Sequence, residues 1–190
     1  MAKKVTREQA LEAVSTLLNW IGEDPTHEGV INTPARVVDA YTKFFSGYCE
    51  DPKQVLAKTF KEIKGYSEPI ILKNITLHSF CEHHLLPMDG KVHVAYIPDK
   101  HIVGISKLTK VIRIFSKRLQ VQERLTTQIA ETIQEVLKPK GVAVFIEASH
   151  YCMILNEENT AASTMQTSHF TGVFHKEPQL KMQIIKQLML

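Results

Sequence analysis

Apolar residues near the start of the chain recur at helical spacing: Ala10, Leu11, Val14, Leu17, Leu18 and Ile21 share one stripe. Thr6-Arg7-Glu8-Gln9 ahead of it has the form of a capping box, and Gly22 and Pro25 stop it. Thr33-Pro34 reads as an N-cap followed by proline at the first helical position. That second helix is expected to run to about Phe45, before Gly47. The two helices form an N-terminal arm, residues 1–66.

From about Glu68 the period shortens. Ile70, Ile71, Leu72, Ile75 and Leu77 predict a strand leading into Cys81. Met88-Asp89-Gly90 reads as a turn, residues 91–97 alternate as a strand, and Pro98-Asp99 closes it. Ser106 is placed as the cap of a helix with Leu108, Val111, Ile112, Phe115 and Leu119 on one face. A further helix carries Leu125, Ile129, Ile133, Val136 and Leu137 inside and stops at Lys138-Pro139-Lys140-Gly141. Val142, Val144, Ile146 and Ala148 then lead to His150 and Cys152 on a single strand face. A strand over residues 165–174 and a short helix complete the pattern. The order ββααββ predicts an α+β domain over residues 67–190, an antiparallel sheet with helices on one face.

Composition narrows the class. The chain has 190 residues, 44% hydrophobic and 23% charged, as expected of a soluble globular domain with a helical extension. A net charge of +3 without a long basic run argues against nucleic acid as a partner. No apolar run approaches a membrane span, so no membrane association is expected. The segment MAKKVTREQA has no apolar core of a secretory signal, which points to the cytoplasm. There cysteines serve metals or catalysis more often than disulfides. Cys49 has no chemical partner in the sequence and is expected to be a buried apolar thiol.

Two distant segments carry the chemistry: Cys81-Glu82-His83-His84 and His150-Tyr151-Cys152. Thiolate and imidazole are the donors zinc prefers, and Cys81, His84 and Cys152 as ligands leave a fourth position open. Such a zinc lowers the pKa of its water toward about 7 and serves hydrolysis. His83 and His150 are the candidate proton carriers beside it. A Cys81–Cys152 disulfide is the alternative. Glu123, next to Gln122 at a predicted helix start, is able to accept two parallel N–H bonds from guanine, or is a plain first-turn acid. Ser106-Lys107 at another helix start is a candidate phosphate site, or a cap with a solvated lysine.

The chain resembles the GTP cyclohydrolase I family over nearly its whole length. The resemblance rests on Gly22-Glu23-Asp24-Pro25, Thr33-Pro34-Ala35-Arg36-Val37 and Ser79-Phe80-Cys81-Glu82-His83-His84-Leu85. It continues through Gly90-Lys91-Val92-His93-Val94-Ala95-Tyr96-Ile97-Pro98, Gly104-Ile105-Ser106-Lys107-Leu108 and Gln120-Val121-Gln122-Glu123-Arg124-Leu125-Thr126. Gly141-Val142-Ala143-Val144 and Glu147-Ala148-Ser149-His150-Tyr151-Cys152-Met153 complete it. The resemblance implies a tunnelling fold assembled as a homodecamer, with active sites between subunits. It implies that GTP and water give formate and 7,8-dihydroneopterin triphosphate, a precursor of tetrahydrofolate or related pterins. Cys81, His84 and Cys152 match the zinc ligands, and His150 and His83 the catalytic histidines. Glu123, with Gln122, matches the guanine contact. Ser106, Lys107 and Lys110 match ribose and triphosphate contacts, and Arg36 an arginine reaching the triphosphate from a neighbouring subunit.

Three positions depart from the family pattern. Asn156, followed by Glu157-Glu158, stands where a triphosphate-binding arginine is usual; Lys110 and His27 also replace arginine. A charge-assisted hydrogen bond is worth about 1.5–3 kcal/mol, so the changes point to weaker triphosphate capture. Three readings follow: an ordinary GTP cyclohydrolase I, a divergent paralogue with a different substrate or product, and a non-catalytic zinc-binding regulatory homologue.

Overall fold

The computed structural model describes residues 5–60, 66–155 and 163–189. The chain divides into two compact units, one ending at Ser46 and one beginning at Gly47. Residues 47–60, assigned to the arm from sequence, group with the second unit. Asn156 lies outside the described residues.

The first unit is a pair of helices, α1 (Arg7–Trp20) and α2 (Thr33–Phe44). Thr6 and Gln9 form the expected reciprocal capping box on α1. Gly22, at φ +92°, ends that helix: its N–H reaches Asn19 and that of Glu23 reaches Leu18. This is a Schellman closure, which favours glycine at the left-handed position. Asn32, not Thr33, caps α2, so Thr33 is the first helical residue and Pro34 the second. Arg7 binds Asp39 at 2.8 Å and ties the pair together. Neither helix contains a buried residue.

The second unit begins with α3 (Pro52–Leu56), whose Leu56 is fully buried in the main core. A two-residue strand, β1 (Thr59–Phe60), pairs with β4 (Ile102–Val103). The main sheet contains β2 (Ile70–Cys81), β3 (Pro87–Ile97), β5 (Leu119–Gln120), β6 (Gly141–His150) and β7 (Met165–Phe170), in the order β5-β2-β3-β6-β7. All its pairings are antiparallel except β5 with β2. The helices α4 (Ile105–Ser116) and α5 (Gln122–Leu137) cover one face. Residues two apart on a strand share a face. Val92, Val94 and Tyr96 therefore join the core beneath α4 and α5, while Ala95 and Ile97 point away. On that opposite face they meet Phe174 of α7 (Gly172–Lys176) and Ile184 and Leu188 of α8 (Pro178–Met189). The expected α+β layer is present, and the C-terminal helices add a smaller layer behind it.

Several local expectations are corrected. Met88-Asp89-Gly90 is not a turn but the start of β3; the chain reverses over residues 82–86 instead. Glycine is needed at 90 because a Cβ there would lie 2.0 Å from the Glu147 carbonyl on β6. Gly104, not Ser106, is the N-cap of α4, and Leu119 belongs to β5. Cys152 sits on the short helix α6 (Tyr151–Ile154) rather than on the strand. The last strand stops at Phe170, where Gly172 turns the chain at φ +55°. Cys49 is exposed rather than buried.

Candidate metal centre and substrate contacts

The metal loop grows from the end of β2. Cys81 N–H donates to Leu86 O at 2.8 Å, and Leu85 N–H donates back to Cys81 O at 2.9 Å. Leu85 closes this turn at φ +58°, a left-handed conformation that costs a residue with a Cβ about 1–2 kcal/mol. Backbone strain of this kind collects at functional sites. The parallel pairing of Cys81 with Gln120 on β5 fixes the other side of the loop.

Cys152 arrives from β6 by way of His150 and the first turn of α6. The ligand atoms of Cys81, His84 and Cys152 all lie within 4.8 Å of one another. Cys81 is buried, Cys152 half-buried and His84 exposed. The Cys81 Sγ to His84 Nδ1 distance is 3.8 Å. Tetrahedral zinc, with bonds of about 2.3 Å to sulfur and 2.0–2.1 Å to nitrogen, sets such a pair about 3.6 Å apart. None of the three cysteines is in a disulfide. Burial, and then the neighbouring Cys81 thiol, raises the Cys152 pKa above its ordinary value. A divalent cation relieves the cost of ionising Cys152 in this place, so the donor set fits zinc. His83 Nδ1 lies 3.6 Å from Cys81 Sγ but is not part of the three-ligand group.

His150 is tied to the start of α5. Its Nε2 lies 2.8 Å from Gln122 Oε1. Gln122 is completely buried, and its two Nε2–H groups are shared among Ile146 O, Met165 O and Thr167 Oγ1 at 3.1, 2.9 and 3.1 Å. Both ends of that amide are therefore occupied by protein. Burial lowers the His150 pKa below its ordinary value, and the Glu123 carboxylate opposes this. Glu123 itself is exposed in the first turn of α5.

The other predicted contacts lie elsewhere. Ser106, Lys107 and Lys110 line a cavity of about 690 Å³ together with Arg113 and Lys117. Its lining residues include four cationic side chains, no carboxylate and none of the three metal-group residues. Lys110 is engaged by Glu50 at 3.0 Å. Arg36 is exposed on α2, in the first unit. Within the second unit the metal group, His150, Gln122 and Glu123 come together, and none of them lines the cationic cavity.

Sequence reasoning missed one pair beside the metal loop. Arg124 grips Glu82 through a short contact from Nη2 to Oε2 and a second at 3.5 Å from Nη1 to Oε1. The guanidinium holds the Glu82 carboxyl below its usual range. The residues are 42 apart, too far for any spacing rule to join them. Their only sequence signal is that each lies inside a quoted motif.

These features define a class: an α+β protein with a Cys–His–Cys group able to hold a metal ion and a buried amide fixing an adjacent histidine. Comparison with known proteins narrows it. The family model described as GTP cyclohydrolase I matches residues 10–189. GTP cyclohydrolase 1 of Rickettsia akari (strain Hartford) is 52% identical over 178 residues, covering 94% of each chain. GTP cyclohydrolase 1 of Maricaulis maris (strain MCS10) is 47% identical over 185 residues, covering 97% of this chain and 90% of the relative. A crystal structure of the archaeosine synthase QueF-Like in the apo form aligns with TM-score 0.44 and 18% identity, covering 55% of this chain and 93% of that one. The chain belongs to the GTP cyclohydrolase I family.

Proposed function

We propose that this protein is a zinc-dependent GTP cyclohydrolase I, converting GTP and water to formate and 7,8-dihydroneopterin triphosphate. The observation that carries the reading is the Cys81–His84–Cys152 group beside a His150 fixed by Gln122, in a chain of this family. Zinc held by Cys81, His84 and Cys152 would supply Lewis acidity and an ionisable water for hydrolysis at neutral pH. Glu123 accepts the N1–H and N2–H bonds of guanine and presents the purine to the centre. His150 moves protons at the carbon that leaves as formate, and Gln122 holds its ring in register. His83 serves as the second proton carrier at the open side of the loop. Ser106, Lys107 and Lys110 receive ribose and triphosphate in the cationic cavity.

The cationic cavity and the metal group have no lining residue in common, which accords with active sites shared between subunits. A homodecamer built by joining sheets into a tunnelling-fold barrel provides such sites, with Arg36 of the arm (residues 1–66) reaching a neighbour's triphosphate. Residues 67–190 form the catalytic domain. No helix among the described residues is long and apolar enough to cross a membrane, and we place the enzyme in the cytoplasm.

The test is anaerobic incubation of the zinc-loaded protein with GTP, reading formate and pterin absorbance together. Equal yields, both lost in Cys152→Ser, support the reading. Formate without pterin would establish the divergent paralogue instead. Neither product would leave a paralogue acting on another guanine compound or the non-catalytic zinc-binding homologue.

A further inference from the structure

The first turn of α5 touches both segments that carry the metal ligands. On one side Gln122 binds His150, the residue capping the helix on which Cys152 sits. On the other side Arg124 binds Glu82, which lies between Cys81 and His83. Arg124 is itself aimed: its Nε donates to Gln120 Oε1 at 3.2 Å and its Nη2 to Leu119 O at 3.4 Å. Gln120 is only 2% exposed and is anchored in turn to Phe115 O and Gln128 Oε1, both at 3.0 Å. The Glu82 backbone N–H adds a bond to Gln120 O at 3.0 Å. A planar two-pronged grip on a carboxylate fixes orientation as well as distance.

We infer that Arg124 and Glu82 are positioning residues for the metal centre, and that the first turn of α5 is a clamp holding the Cys81–His84 loop in register with the Cys152 segment. The inference rests on the assignment of Cys81, His84 and Cys152 as zinc ligands. Charge gives a second reason for the pair. Glu82 follows directly on Cys81, so an unpaired carboxylate there would add negative charge beside two thiolates. Arg124 pairs with that carboxylate and offsets its charge. The pair is 42% and 33% exposed, so its effect on global stability is small. Its consequence falls on ligand geometry, where outer partners of metal ligands are worth about 10- to 100-fold in affinity.

The test compares wild-type holoenzyme with Arg124→Met, Arg124→Lys, Glu82→Gln and the Arg124→Met/Glu82→Gln double variant. Zinc affinity is read by competition with a chromophoric chelator, and ligand geometry by the absorption bands of the cobalt(II) form. Arg124→Met is expected to weaken zinc binding about 10- to 100-fold and to shift the cobalt bands. The double variant should bind no more weakly than Arg124→Met alone, and Arg124→Lys should fall between. Thermal midpoints close to wild type show that folding is intact, and the isosteric Glu82→Gln carries the test should Arg124→Met fold poorly. Zinc affinity within twofold of wild type in a folded variant overturns the clamp. So does a rise in KM for GTP with zinc affinity unchanged, which would make Arg124 a substrate contact. These metal readouts are independent of turnover, so absence of product from zinc-loaded wild type would refute the functional reading separately.

Discussion

Replacing Gln122 by alanine removes two N–H donors, shared among three acceptors, and one carbonyl oxygen from a completely buried position. Each hydrogen bond is worth about 0.5–1.5 kcal/mol net, and a buried group left unpaired costs about 1–3 kcal/mol. The losses are unequal. Thr167 keeps its 2.7 Å bond to Thr126, and half-buried His150 gains water in place of the amide. The Ile146 and Met165 carbonyls lose a donor outright. The expected destabilisation is therefore about 2–4 kcal/mol, large for one substitution. With an m-value of about 2 kcal/mol/M, the urea midpoint should fall by about 1–2 M. Turnover should fall in the fraction that stays folded, because His150 loses its alignment. Gln122→Glu sharpens the test. At pH 8 its carboxylate would face the two acceptor-only carbonyl oxygens of Ile146 and Met165, so it should destabilise more than alanine. Part of that loss should be recovered on acidification, as protonation restores one donor. A urea midpoint within about 0.2 M of wild type for either variant, well inside the shift expected from these bonds, would refute the hydrogen-bond accounting.

Further outcomes follow from other sites. Glu123→Gln should raise KM for GTP about 10- to 150-fold, the value of one charge-assisted bond, and leave zinc content unchanged by metal analysis. His93 is shifted below its ordinary pKa by burial and by Lys73, so the folded state binds its proton less tightly than the unfolded chain. Stability linked to His93 is complete above pH 6.5 and is lost as pH falls through the depressed folded value. Urea midpoints between pH 8 and pH 5 should thus decline less in His93→Phe than in wild type. Thiol titration of the zinc-loaded protein should find one fast cysteine per chain, exposed Cys49, with half-buried Cys152 and buried Cys81 reacting more slowly and only after chelation. Three fast thiols before chelation would contradict the ligand set.

The Cys81–His84–Cys152 group was legible because donor chemistry is local: cysteine and histidine announce themselves by type and spacing. The core helices were legible for a similar reason, since the stripe from Leu125 to Leu137 repeats at the helical period. Misreadings arose where a distant strand decides the matter. Gly90 resembles a turn glycine, yet its reason is the approach of the β6 backbone at Glu147. The true reversal uses Leu85 at positive φ, a position that composition does not mark. The side-chain partners of Gln122 are not legible from its place beside Glu123, the guanine contact that the resemblance implies. Only the packing of α5 against β6 and β7 reveals that its amide is committed to His150 and two strand carbonyls. The Arg124–Glu82 pair was hidden for the same reason.

The helical pair at the start of the chain has a practical consequence. Trp20 is the sole tryptophan of the sequence, and it is 81% exposed at the end of α1. Indole emission shifts to shorter wavelength when water around the ring is replaced by protein. The protein therefore carries one built-in optical reporter, sited on the segment whose helices bury nothing by themselves. Dilution followed by emission wavelength would report when that segment gains or loses its cover, without added dye and without interference from a second indole.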